Sequence, residues 1–251
     1  MAVPQTSDIL REVIFSPLEH GGRTKLIFDR LRNAVALDVF KDGEQLPPET
    51  ELAAQLGISP VTLRDALGLM REAGLVETRR GRTGGSFVRR NAYDPVAHGH
   101  SQLEEMSLVD LRDLSDWRIS LAEAAASLSA QRASDDEVNG LAEHVSAFAG
   151  ARDSAVARRA EGRLFIALAA ASQSVRLTRA TVTCVIDYGP LLSLAYQKAK
   201  CRRSVARQHS LLVTAVSDGD REAARAAVRE AGADVALEIA RLRSEVSVRK
   251  T

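Results

Sequence analysis

The sequence predicts a mainly α protein: an N-terminal unit of three short helices and a two-stranded ribbon, followed by an all-α helical bundle. Apolar residues recur at helical spacing along most of the 251-residue chain, the signature of amphipathic helices. Strand-like runs are confined to one short stretch, residues 75–88. Aromatic residues make up only 4%, which suits helices better than a β-sandwich. With 45% hydrophobic and 27% charged residues the composition is that of a globular protein, and the length suits two domains.

Residues 1–22 lack sustained periodicity and are read as an arm. From Arg23 the pattern TKLIFDRLRNAVAL places Leu26, Ile27, Arg30, Leu31, Ala34 and Val35 at helical spacing, a first amphipathic helix,. Pro47-Pro48 fixes an extended entry into a second short helix, Glu49 to Leu56, which Gly57 closes, a glycine at this position being free to take positive φ. Ser59 before Pro60 reads as an N-cap with proline in the first turn. The third helix then buries Leu63, Ala66, Leu67 and Met70, with Val61, Thr62 and Arg64 on other faces, and Gly74 ends it. Leu75–Thr78 and Ser86–Val88 form two strands around an Arg- and Gly-rich tip. Three helices and such a ribbon make a winged helix-turn-helix, residues 23–91. Asp94-Pro95 breaks the periodicity, so 92–102 is read as a linker. The helical part, 103–247, has helices near 108–132, 153–172, 176–198 (interrupted at Gly189-Pro190), 203–217 and 219–246, with a capping box at Ser134–Glu137 opening another,.

Several classes are excluded. No apolar run nears the roughly 18 residues of a membrane span, and the first residues lack the basic start and apolar stretch of a secretory signal. Cys184 and Cys201 stand apart from any CxxC or Cys/His cluster, which argues against a zinc site or disulfide framework and for a cytoplasmic location. There is no Gly-rich phosphate loop, no cofactor motif and no nucleophile–base arrangement, so neither enzyme nor cofactor is expected.

The net charge of +1 hides an uneven distribution: residues 23–91 hold 12 Lys/Arg against 9 Asp/Glu, and residues 92–251 hold 21 against 21. The segment RRGRTGGSFVRR, residues 79–90, carries five arginines and no acid, a local stripe able to meet phosphates.

The succession LPPETELAAQLGISPVTLRDALGLMREAGL, Leu46–Leu75, with the glycine-rich wing after it, resembles the DNA-binding domain of GntR-type transcription regulators; the likeness covers nearly all of residues 24–90. More loosely, Leu111–Arg132, the segment around Phe165 and HSLLVTAVSDGDREAARAAV from His209 resemble the FCD effector domain of the FadR branch. The resemblance implies a homodimer that reads a palindromic double-stranded DNA operator and responds to a small-molecule effector, most often as a repressor.

The end of a recognition helix that enters the major groove needs short polar side chains and arginine. Ser59, Thr62 and Arg64 meet that need, Val61 shares their end of the helix, and Thr50 on the preceding helix faces the DNA backbone. Through the resemblance these are the family's contact positions, with two departures: many relatives carry arginine where Pro60 and Thr50 stand. The wing tip, Arg80-Gly81-Arg82-Thr83-Gly84-Gly85, suits a narrow minor groove, where glycine permits close approach and arginine meets negative potential; its bland alternative is a solvated hairpin.

The resemblance also implies a divalent metal held by an aspartate and three histidines. Here Gly162 and Ile166 stand at the aspartate and first histidine, His209 at the second and Ala231 at the last. With three ligands gone, no metal is expected. Arg118 lies on the inward stripe Leu111, Leu114, Leu121, Ala125, Leu128, and His209 shares a face with Leu212, Val213 and Val216. An inward guanidinium needs a partner. It is either a bundle acid, with Asp113, Glu123 and Asp187 as candidates, or the carboxylate or phosphate of an effector such as an organic acid. Arg118 and His209 are the candidate effector-binding residues. A competing whole-chain reading is a metabolite-binding or scaffold protein with a degenerate DNA-binding head, favoured by Pro60 and Thr50.

Overall fold

The computed structural model describes residues 23–36, 39–81, 84–89 and 94–249. In chain order the elements are α1 (Arg23–Ala36), α2 (Glu49–Gln55), α3 (Pro60–Glu72), β1 (Val76–Arg79), β2 (Gly85–Val88), α4 (Pro95–Glu105), α5 (Leu108–Arg132), α6 (Asp135–Ala149), α7 (Ser154–Ala171), α8 (Val175–Ala195), α9 (Ala199–Ser217) and α10 (Arg221–Arg249). The chain divides into two compact units at Asp94/Pro95.

In the first unit α3 packs on α1 and α2. All four apolar residues expected inside α3 are buried, with Ile27, Leu31, Leu52 and Leu56 against them. The start of α3 is fixed as the sequence predicts: the Thr62 backbone N–H donates to Ser59 Oγ and proline occupies the first turn. β1 and β2 pair antiparallel, from Val76 opposite Val88 to Arg79 opposite Gly85. Gln45 forms a single antiparallel bridge to Phe87 on the other side of β2. The expected arm, residues 1–22, lies outside the described residues.

In the second unit α5 and α9 pack along α10, α7 lies between α6 and α8, and α4 lies on α8. Two capping boxes, Ser107 with Asp110 and Ser134 with Glu137, start α5 and α6. The core has two apolar clusters. One gathers Leu111, Phe148, Tyr188, Leu191, Val205, Val235 and Ile239; the other gathers Ala122, Val145, Leu164, Phe165, Leu212, Val216 and Val228.

Two expectations need correction. The linker placed at 92–102 is helical from Pro95 onward, with Gly99 and Leu103 buried. A Cβ at Gly99 would stand 2.4 Å from the Pro190 carbonyl oxygen, so glycine there is what lets α4 lie against α8. The interruption placed at Gly189-Pro190 is absent: α8 runs through Pro190 without a break. Proline forfeits one backbone hydrogen bond, but this stretch is buried on nearly every side, so packing holds the helix.

Candidate nucleic-acid interface and buried polar cluster

The exposed face of α3 follows from its core. Helical geometry that turns Leu63, Ala66, Leu67 and Met70 inward must turn Pro60, Val61, Arg64 and Asp65 outward, and these four are exposed. Val61 keeps 64% of its surface accessible, unusual for an apolar side chain beside a helix N-terminus and able to meet a thymine methyl. Ser59 Oγ and Thr62 Oγ1 lie 2.8 Å apart and bond to each other as well as forming the cap. Their first role is thus to build the helix start. Thr50 is exposed in the first turn of α2. Arg64 Nε donates to Glu49 Oε2 at 2.9 Å, a contact with 65% of the arginine side chain still in solvent. This acid at the head of α2 holds the guanidinium by one nitrogen and orients it across the groove between α2 and α3. An exposed pair of this kind is worth about 0–1 kcal/mol, little enough for a base edge to displace.

In the wing, Arg80 and Gly81 are exposed, while Arg82, a candidate minor-groove residue, lies outside the described residues. Gly84 turns the hairpin, its N–H donating to the Gly81 carbonyl at 2.9 Å. The arginine stripe is less free than its sequence suggests. Glu77 accepts from Arg79 Nε at 2.6 Å and from Arg89 Nε at 2.7 Å, and those hydrogen bonds, led by Arg79, hold its carboxyl below the usual range. Arg79 also lies over the Phe87 ring, 4.2 Å from its centroid.

In the bundle Arg118 is 7% exposed and points inward, as its stripe requires. Its partner is none of the three acids expected: Nη2 donates to Glu161 Oε1 of α7 at 2.8 Å. Glu123 instead pairs with Arg229 and Arg225. The guanidinium lies between two rings, 4.9 Å from the Phe165 centroid and 5.1 Å from that of Tyr188. Burial pulls its pKa down, but the Glu161 carboxylate more than compensates, and the net direction is upward. Burial pushes the Glu161 carboxyl up, against the pull of Arg118. The His209 imidazole is 1% exposed and its Nε2 stands 3.6 Å from Glu161 Oε1, just beyond hydrogen-bond reach. Burial, aided by Arg118, depresses its pKa to about 3, so it is neutral at pH 7. Arg118 is thus paired inside the bundle, the first of the two alternatives its stripe allows, with an acid other than the three named.

The cluster occupies a seam. On α5 Arg118 follows Leu111 of one apolar cluster and precedes Ala122 of the other; on α7 Glu161 stands between Ala160 and Leu164, and on α9 His209 between Val205 and Leu212, in the same order. Beside it, Arg118, Glu161, Phe165, Thr181 and Tyr188 line a recess of about 330 Å³ of atom-free space, mouth included. Only about 20 Å³ of that admits the centre of a water-sized molecule. Among the described residues no group of three or more metal-ligating side chains converges. The positions where the resemblance implies ligands carry Gly162, Ile166 and Ala231, and the nearest carboxylate already holds a guanidinium. The donor set does not fit a divalent metal.

Glu161, Thr181 and Glu49 escaped the sequence reading. A signal existed for Glu161: it falls on the α7 stripe Ala157, Glu161, Leu164, Leu168, all buried, as Arg118 falls on its own.

The family model for bacterial regulatory proteins of the gntR family matches residues 23–88, and the FCD domain model matches residues 113–232. The chain is 35% identical over 169 residues to RmpR of Mycobacterium gastri, named among HTH-type transcriptional regulators, a match spanning 67% of this chain and 62% of that protein. It is 30% identical over 152 residues to the uncharacterised HTH-type transcriptional regulator Rv0494 of Mycobacterium tuberculosis, spanning 59% and 60%. The chain thus spans about three fifths of the length of these relatives. Among solved structures, Escherichia coli McbR/YncC superposes with a TM-score of 0.52 at 17% identity, covering 91% of this chain and all of that one, a likeness of fold. With a capped, outward-facing helix and a glycine-turned wing in its first unit and a helical bundle in its second, and with the two models matched in that order, the chain carries a gntR-family DNA-binding domain followed by an FCD domain.

Proposed function

We propose that the chain is a ligand-responsive, sequence-specific DNA-binding transcription regulator that works in the cytoplasm. In this reading it acts as a homodimer on a palindromic operator, and represses. One observation carries the reading: α3 spends its entire apolar stripe on the core and presents Val61 and a lightly held Arg64 to solvent beside a capped N-terminus. Arg64 forks onto a guanine once it leaves Glu49, Ser59 and Thr62 meet phosphates or bases at the helix start, and Thr50 meets the backbone. Arg80, Gly81, Arg82 and Gly84 of the wing approach the minor groove. One recognition helix reads few base pairs, and a two-fold pair doubles the site. The bundle, with Arg118 and His209 at its polar seam, binds the effector, which shifts the balance between DNA-bound and free states through unequal affinity for them.

The test is selection of genomic fragments by the full chain, followed by sequencing. The unaltered protein should enrich an inverted repeat; Arg64→Ala should retain weak, salt-sensitive binding without that enrichment, losing about 1–3 kcal/mol of discrimination per contacted guanine. Equal enrichment by Arg64→Ala removes its assigned role. The second reading, a metabolite-binding protein with a degenerate head, is favoured by the Glu49–Arg64 pair together with Pro60 and Thr50. It predicts no enriched sequence with either protein.

A further inference from the structure

The two strands of the wing have two faces, and their register assigns them. Val76, Ser86 and Val88 turn inward and are buried. The period of two along a strand puts Glu77, Arg79 and Phe87 on the other face,. Arg89 joins them, its N–H continuing the ladder to the Leu75 carbonyl at 2.8 Å. There one carboxylate serves two guanidiniums. Glu77 Oε1 lies 2.6 Å from Arg79 Nε and 2.5 Å from its Nη2. Oε2 lies 2.7 Å from Arg89 Nε and 2.5 Å from its Nη2. Each fork is held along one edge, and the acid engages Nη1 of neither arginine.

The charges here do not cancel. Glu49 and Arg64 stand one against one, whereas this face sets two cations against one anion, a net charge of +1. One guanidinium would neutralise the acid and tie the strands together; the second is surplus. The arginine side chains keep 53% and 52% of their surface in solvent, against 29% for the glutamate, so the cations are the accessible part. Arg79 is further fixed by the Phe87 ring below it. Two ordered, planar forks with an open edge match the oxygens of a phosphate diester. The same two strands carry the wing tip, with Arg80 next to Arg79.

Resting on the reading of the first unit as DNA-binding, we infer that this outer face is a further contact with the duplex, in which Arg79 and Arg89 grip backbone phosphates beside the groove that the wing tip enters. They do so through the edges that Glu77 leaves open. Such contacts position the protein and carry no sequence information. Glu77 acts on them in two ways. It orders both forks in the free chain, and its own charge opposes the phosphates and so limits affinity for any sequence. Hydrogen bonds from Arg79 and Arg89 hold its carboxyl below the usual range, so the opposing charge is present at neutral pH.

Anisotropy titrations of the full chain on a selected fragment and a scrambled one, repeated over a salt series, test this. Arg79→Ala and Arg89→Ala should each weaken binding to both duplexes by a similar factor, about three- to tenfold, and lower the salt slope by about one. Arg89→Lys, which keeps the charge, should keep the slope. Glu77→Gln, which removes the charge and keeps an acceptor, should tighten binding to both duplexes about two- to fivefold. Weaker binding by Glu77→Gln with a lower melting temperature makes the cluster a lock between strands and overturns the inference. Unchanged salt slopes in both alanine variants overturn it as well, and so does a loss confined to the selected fragment, which is the mark of a base contact. Inorganic phosphate that displaces the duplex better than chloride at matched ionic strength assigns the site to a free anion instead. In each of these outcomes the unaltered chain still binds DNA and the regulator reading stands. Failure of the unaltered chain to bind either duplex ends both.

Discussion

Two arginines of this chain are each paired with one acid, and burial decides what each pair is for. Arg64 and Glu49 meet in solvent, so their contact adds little stability and is easily exchanged. Arg118 and Glu161 meet with side chains 8% and 1% exposed, where removing one partner strands the other charge. Arg118→Met or Glu161→Leu alone should each cost about 3–5 kcal/mol, and the double variant should recover most of that loss because no lone charge remains. Urea unfolding of the four proteins checks this; a double variant as unstable as the sum of the singles refutes a coupled pair. That Arg118 points inward was legible from its stripe alone. Its partner is harder to read, because Asp113, Glu123 and Asp187 belong to the same bundle and only the α7 stripe places Glu161 inside.

At the scale of elements, the legible ones are those whose ends carry their own chemistry. Ser59-Pro60 starts α3, Ser134 with Glu137 starts α6, and all four core positions of α3 follow from spacing. α4 was missed because its start, Asp94-Pro95, serves equally as a break or as a helix opening, and because its glycine marks a close approach between distant residues. Pro190 misled for a related reason: burial of α8 outweighs the missing hydrogen bond, and burial of a helix on all sides leaves no periodic signature. The wing offers an element-scale prediction. A Cβ on Gly84 would lie 2.5 Å from the Arg79 carbonyl oxygen and 2.8 Å from that of Gly81, both backbone atoms that no rotamer change can move. Gly84→Ala should therefore open the hairpin tip and weaken binding to all DNA sequences alike, leaving the relative order of sites set by α3. Anisotropy titrations on matched and scrambled fragments read the difference, and a selective loss on matched DNA contradicts this division of labour.

At the scale of the whole molecule, the polar seam makes the bundle sensitive to acid in a direction that can be worked out. His209 faces Phe148 and Phe165 edge-on with Arg118 and Glu161 as the nearest charged groups, and it stays neutral in the folded chain down to about pH 3. In the unfolded chain its imidazole takes a proton near pH 6.5. Between those values the unfolded state binds the extra proton, so stability rises with pH and is lost on acidification, by about 1.4 kcal/mol per pH unit at most. Glu161 acts in the opposite sense: burial lifts its folded pKa above the ordinary 4.5, so the folded state holds the extra proton in the range just above that value. Acidification thus returns part of what His209 removes. His209→Leu eliminates one contribution and leaves the other, so its stability should fall less steeply than that of the unaltered chain between pH 6.5 and 5. The only tryptophan, Trp117, lies in α5 beside Arg118, so its fluorescence follows unfolding of the bundle and not of the DNA-binding unit. Parallel slopes for the two proteins would place the buried imidazole outside the acid response and leave the half-buried His144, whose pKa burial also depresses, as a source of the loss, since Glu161 acts in the opposite sense.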